Sequence, residues 1–275
     1  KILVILFLSL KIVDTSIFSS HHASFQRPFD SLRLKRGDCS FARLRLTGGS
    51  DQVVTVANTT TSNENENKTD LSNMNLVFIG HVDSGKSTIC GHLLYLTGNL
   101  DQRTLEKFER EAETMGRQSW KFAWAMDTTD EEREKGKTQD YGRASIKTDK
   151  RRYTILDAPG HKNFVPNMIG GACQADLAVL VISAKTGEFE SGFEKGGQTR
   201  EHCILAKTVG VRFIVVAVNK MDEVSWNQAR FQAIVDKIGA FLKQSGFNPK
   251  TEVAFVPIDG LHGANLVARV EEGVC

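Results

Sequence analysis

The stretch NMNLVFIGHVDSGKSTICGHLLYL, residues 73–96, decides the fold. Residues 76–79 form a short continuous apolar run, the pattern of a strand buried on both faces. GHVDSGKS at 80–87 follows it, matches GxxxxGK[ST], and opens a helix. Strand, glycine-rich loop and helix in that order turn successive backbone amides and a helix N-terminus toward an anion. Gly80 and Gly85 let the backbone approach phosphate closely, and His81, Val82, Asp83 and Ser84 supply the wrapping amides between them. Lys86 brings a point charge to the terminal phosphates of a nucleotide. Ser87 offers a hydroxyl to Mg²⁺, and Thr88 completes the phosphate-facing set.

Beyond this unit the same texture repeats. Residues 153–156, 177–182, 213–218 and 253–256 are further candidate buried strands. Helical patterns lie between them at about 104–114, 199–208 and 228–244; in the first, Leu105, Phe108 and Ala112 share one face and Gly116 marks the stop. Strands alternating with helices imply right-handed crossovers and a doubly wound, mostly parallel α/β sheet of the P-loop NTPase type. Ligands bind such sheets at the carboxyl ends of the strands, where the remaining motifs fall.

NKMD at 219–222 follows the strand at 213–218. Guanine presents N1–H and N2–H₂ on one edge, and the carboxylate of Asp222 accepts from both. Adenine lacks that donor pair, and a site built on such bonds rejects the wrong partner by roughly 10⁴-fold. Asn219 ties the base to the phosphate loop, and the Lys220 stem covers the base face. The ligand expected is therefore GTP or GDP rather than an adenine nucleotide. DAPGH at 157–161 ends another apolar strand. Asp157 is the acidic residue expected to hold Mg²⁺, and Gly160 brings an amide to the γ-phosphate. His161 stands where a water-orienting side chain is needed for hydrolysis. Thr138, in the charged segment EREKGKT, is the expected switch threonine that meets Mg²⁺ and γ-phosphate in the triphosphate state. Lys86, Thr138 and His161 form the candidate catalytic set; Ser87, Thr138 and Asp157 form the candidate metal set.

With these motifs in this order, residues 73–266 resemble the G domain of the translational GTPases. Within that family the resemblance is greatest to the eukaryotic peptide-chain release-factor GTPases, the class-II factors. It rests on WAMDT at 124–128, EEREKGKT at 131–138, GRA at 142–144, PNMIGG at 166–171 and GEFESGFEKGGQTREH at 187–202. Elongation factor one-alpha usually carries a GITI-like switch where this chain has GKTQ at 136–139. Residues 224–247 are also similar to the ribosome-rescue GTPase that partners Pelota, so the rescue and elongation branches stay open, as does a GTP-binding module without useful turnover. The resemblance implies GTP hydrolysis in translation termination, cytoplasmic, with the ribosome and the class-I release factor as partners. It also implies two β-barrel domains after the G domain; the chain ends soon after Leu266. The release-factor contact is therefore expected to be weakened. Two residues depart from the family. The last base-contact motif, usually Ser-Gly or Ser-Ala, reads Asp259-Gly260-Leu261, so that an amide still reaches guanine O6 beside an acidic group that weakens affinity. Cys90 replaces a common glycine, as a small buried thiol.

The 275 residues carry 40% hydrophobic and 25% charged side chains and a formal charge of +2, which excludes a global field pulling the chain onto nucleic acid or membrane. Neither sequence-specific nucleic-acid binding nor membrane association is expected. Five scattered cysteines without CxxC spacing exclude a disulfide framework and a zinc site. The division expected is an extension over 1–72 and a G domain over 73–275. Residues 2–10 are an apolar run between Lys1 and Lys11, either a targeting leader or a gene-boundary artefact; the cytosolic chemistry that follows favours the artefact. Residues 57–73, with Asn-x-Thr at Asn58 and Asn67, read as a disordered polar linker. Trp120 and Trp124, one helical turn apart, read as packing rather than a base-stacking platform.

Overall fold

The computed structural model describes residues 73–127, 132–133, 138–148, 151–194 and 197–267. The leader and linker expected over 1–72, residues 134–137 of the switch segment and the closing helix after Leu266 lie outside them.

Six strands form one sheet in the order β2-β3-β1-β4-β5-β6. They are β1 (Asn73–Gly80), β2 (Gly142–Lys147), β3 (Arg152–Asp157), β4 (Leu177–Ser183), β5 (Phe213–Asn219) and β6 (Val253–Pro257). All pairings are parallel except that of β2 with β3. Every residue of β4 and β5 is buried, which is why these runs show no polar alternation. β2 was not anticipated as a strand. It is an edge, its Arg143, Ser145 and Lys147 are exposed, and only Ile146 is fully buried, so it lacks the apolar run that marked the others.

Among the described residues, six helices lie in the connections between strands: α1 (Lys86–Leu96), α2 (Gln102–Thr114), α3 (Val165–Ala172), α4 (Glu188–Phe193), α5 (Gln198–Thr208) and α6 (Gln228–Gln244). The predicted face of α2 is the buried one, Leu105, Phe108 and Ala112, and Asp101 caps it by accepting from the Thr104 amide at 3.2 Å. In α6, Asn227 caps the Arg230 amide at 3.0 Å, and Ile234, Ile238 and Leu242 enter the core at four-residue intervals. Cys90 is buried in α1, and burial pushes its thiol well above the usual range. Cys90, Cys173 and Cys203 are free thiols.

Parallel neighbours flank β1 on both sides, so chain crossovers leave it in opposite directions and open a crevice at its carboxyl end. The segment from Arg117 to Asp127 closes one side of that crevice. Trp124 is buried edge-on to Phe108, with ring centroids 6.4 Å apart. Trp120 is half-buried under the Arg117 guanidinium at 4.2 Å. Packing accounts for the first tryptophan; the second also faces the crevice. No described helix is long and apolar enough to cross a membrane.

Candidate nucleotide site

The crevice holds a cavity of about 460 Å³ lined by the phosphate loop, the Trp120 segment and the loops after β3, β5 and β6. The phosphate loop runs directly from β1 into α1. Gly85 takes φ 95° there, and a Cβ on it would lie 2.3 Å from the Asn219 amide nitrogen, so only glycine fits. Asp83 holds φ 58°, a left-handed conformation that costs free energy at a non-glycine residue. Lys86 is buried and donates to the His81 carbonyl at 2.8 Å, as does the Ser84 hydroxyl at 2.9 Å. Burial holds the Lys86 ammonium below its usual range, opposed by the charges of Asp157 and Asp83. Behind the loop, the buried His202 ring accepts the Gly80 amide through Nδ1 at 3.3 Å. Burial, with Lys86 and His81 nearby, lowers the His202 pKa to about 3, so the ring stays a neutral acceptor.

The predicted metal set converges. Ser87 Oγ lies 3.2 Å from Thr138 Oγ1, although the two are 51 residues apart in the chain. Thr138 Oγ1 in turn donates to Asp127 Oδ1 at 3.4 Å. Asp157 is fully buried; its carboxylate oxygens make no hydrogen bond of ordinary geometry among the described residues, although the Ser87 hydroxyl is near enough to favour the charged form. Burial lifts its pKa to about 6 against the pull of Lys86. Asp127 rises to about 7, through burial and then the charges of Asp157 and Glu132. Two crowded carboxylates and two hydroxyls are the hard oxygen donors that suit Mg²⁺. Glu132 steadies this side by accepting the Gln139 amide at 2.9 Å and the Asp140 amide at 3.3 Å.

Gly160 and His161 arrive from the end of β3. Gly160 packs so closely that a Cβ would lie 2.6 Å from Lys86 Nζ. His161 lines the cavity and caps the short 3₁₀ turn Lys162–Phe164, its Nδ1 accepting from the Asn163 amide at 3.3 Å.

At the base end, Asn219 joins two loops. Its Nδ2 donates to the Ser84 carbonyl at 2.9 Å, and its Oδ1 accepts the Gly260 amide at 2.8 Å. Lys220 sits at φ 60° with its ammonium on Glu188 Oε2 at 2.7 Å, which lays the stem along the cavity wall. Asp222 lines the cavity, with His262 Nδ1 4.0 Å from its carboxylate. His92, buried in α1 and stacked on Phe122 at 4.1 Å, donates through Nδ1 to the Gly260 carbonyl at 2.9 Å. The loop 259–261 differs from expectation in one respect. Its amides have internal acceptors: Gly260 bonds Asn219, while Leu261 and His262 both bond Asp259 Oδ1 at 3.0 Å. A buried carboxylate needs donors, and these are the nearest.

Of the candidate residues, Val82, Asp83, Gly85 to Thr88, Thr138, Gly160, His161, Asn219, Lys220, Asp222, Asp259 and Leu261 line one cavity. Gly80, His81, Ser84, Asp157 and Gly260 do not line it: Asp157 is fully buried, and His81 and Ser84 line a second cavity on the other side of the phosphate loop. Sequence motifs missed Asp127, Glu132, Glu188, His92 and His202. All of these but His92 stood inside stretches similar to the release-factor GTPases but carried no local pattern of their own. His92 carried none at all.

A mostly parallel sheet with a phosphate loop at its switch point and an Asn-Lys-x-Asp loop two strands away defines a P-loop nucleotide-binding domain. The chain belongs to the Elongation factor Tu GTP binding domain family, which it matches over residues 71–272. It is 50% identical over 244 residues to the eukaryotic peptide chain release factor GTP-binding subunit of Schizosaccharomyces pombe, covering 85% of this chain and 37% of that one. To the protein of the same name from Candida albicans it is 57% identical over 204 residues, covering 74% of this chain and 28% of that one. Among solved structures, Sup35 complexed with GDP superposes with a TM-score of 0.56 at 42% identity, over 77% of this chain and 44% of that one. The chain therefore spans about a third of the length of these curated relatives.

Proposed function

We propose that this chain is the guanine-nucleotide-binding and GTP-hydrolysing part of a translation termination factor of the cytoplasm, with residues 73–275 as its G domain. The observation that carries the proposal is the pairing of a complete phosphate loop with Asn219 and Asp222 in one cavity. Release-factor identity is supported by the names of relatives at 50% and 57% identity.

In this account Asp222 accepts the two donors of the guanine edge, Lys220 covers the base, and Lys86 with the loop amides neutralises the phosphates. Ser87, Thr138 and Asp157 would hold Mg²⁺, with Asp127 beside Thr138; bound there, the ion would supply positive charge against that of the phosphates. His161 orients the attacking water. Thr138 links nucleotide state to the segment around 127–146, which α3 contacts through the Asn167 side chain on the Gln139 carbonyl at 2.9 Å. The ribosome and a class-I release factor are the proposed partners.

Grafting residues 73–267 into the Schizosaccharomyces pombe relative in place of the matching segment tests the reading. The chimera should hydrolyse GTP slowly alone, near ~10⁻⁴ s⁻¹ as unassisted small GTPases do. Ribosomes with the class-I factor should stimulate it and restore termination. His161→Ala should remove the stimulation and keep GTP binding. A chimera that binds Pelota and not the class-I factor would move the assignment to ribosome rescue.

A further inference from the structure

The base loop holds a group whose chemistry works against the ligand it faces. Guanine offers an acceptor, O6, beside the N1–H and N2–H₂ donors that Asp222 takes. O6 needs a donor from the protein; Asp259 and Leu261 bring the loop after β6 to the cavity, and the backbone donors of that loop are the amides of Gly260, Leu261 and His262. Asp259 is buried, and its Oδ1 accepts from Leu261 and His262 at 3.0 Å each. Its Oδ2 is pinned by His262 Nδ1 at 2.7 Å. The Gly260 amide already serves Asn219 at 2.8 Å. Bonds to a carboxylate are about twice as strong as neutral ones, so these amides are not given up freely. The carboxylates of Asp259 and Asp222 also stand close, with His262 between them and the three ligand atoms within 4.8 Å of one another.

We propose that Asp259, held in place by His262, is an affinity-determining residue of the base pocket: it keeps the loop amides for itself and leaves guanine O6 to share an occupied donor beside an anion. The consequence is weaker guanine binding and faster nucleotide release than the phosphate loop and Asp222 alone would give. This rests on the guanine reading above.

The test is calorimetric titration of the 275-residue chain and its variants with GDP and with 2-aminopurine riboside diphosphate, which lacks O6 and also the N1–H that Asp222 takes, so that each nucleotide is compared only between variant and parent. Asp259→Ala should bind GDP about tenfold tighter, the worth of one ordinary hydrogen bond. The same variant should bind the 2-aminopurine nucleotide no better than the parent does. Asp259→Asn keeps the shape and removes the charge; it should gain about threefold for GDP, and it carries the test if the alanine variant unfolds. GDP binding unchanged or weakened in both variants would overturn the proposal, and so would an equal gain for both nucleotides. Asp222→Ala separates the two readings. If it abolishes GDP binding while Asp259→Ala changes nothing, the guanine pocket stands and this proposal falls. If Asp222→Ala has no effect on GDP, the guanine reading fails and takes this proposal with it.

Discussion

Asn219 shows how much one side chain carries. Its two amide atoms hold the phosphate loop through the Ser84 carbonyl and the base loop through the Gly260 amide. Asn219→Ala strands both buried groups, so GDP affinity should fall about 100-fold, about 2.7 kcal/mol, by titration. An affinity within threefold of the parent would contradict that role. A second residue-scale consequence concerns Asp127 and Asp157. Their folded pKa values, about 7 and about 6, lie above the ordinary value near 3.9 of an unfolded aspartate. Between those limits the folded state binds more protons than the unfolded state, so this pair's contribution is complete below about pH 4 and is lost as pH rises through about 7. Without nucleotide and Mg²⁺, Asp127→Asn should gain thermal stability relative to the parent as pH rises from 4 to 8. An unfolding-temperature difference that stays constant over that range would count against the carboxylate pair. Lys86, Asn219 and Asp157 were readable from sequence because each sits in a short motif at the end of an apolar run. Asp127, Glu132 and Glu188 were not, because their roles come from partners brought close by folding: Glu188 meets Lys220 32 residues on.

Among the elements, those with a strong period or an unbroken apolar run were the readable ones. The helix expected at 228–244 has those bounds in the structure, and β4 and β5 lie where the apolar runs placed them. α3, with the sequence VPNMIGGA, carries a proline and two glycines in eight residues, so nothing local announces a helix. It is held by tertiary packing, with Met168 and Ala172 in the main core. The segment between α2 and β2 offers a test of its own. Trp124 is buried on Phe108, whereas Trp120 lines the nucleotide cavity. Trp124→Ala should destabilise the fold by ~3–5 kcal/mol in denaturant unfolding, the usual cost of emptying an aromatic core site. Trp120→Ala should change stability little and weaken nucleotide binding. If the two substitutions behave alike in both measurements, the division of labour within this segment is wrong.

At the scale of the whole molecule, one topological fact organises the rest. β1 has parallel neighbours on both sides, so the loops that follow β1, β3, β5 and β6 open on the same edge of the sheet and meet in one cavity. Four short motifs lying between Gly80 and Leu261 meet at one site for that reason. A formal charge of +2 adds little general attraction for anions, so recognition of a nucleotide is left to local sites such as this cavity. The central claim is that the cavity is built for guanine, and titration of the chain with GDP and ADP in the presence of Mg²⁺ tests it most directly. GDP should bind roughly 10⁴-fold more tightly than ADP, as expected where a buried acceptor must find its donors. Asp222→Asn should transfer the preference to xanthosine diphosphate. Comparable affinities for GDP and ADP, or a preference indifferent to Asp222, would contradict the account.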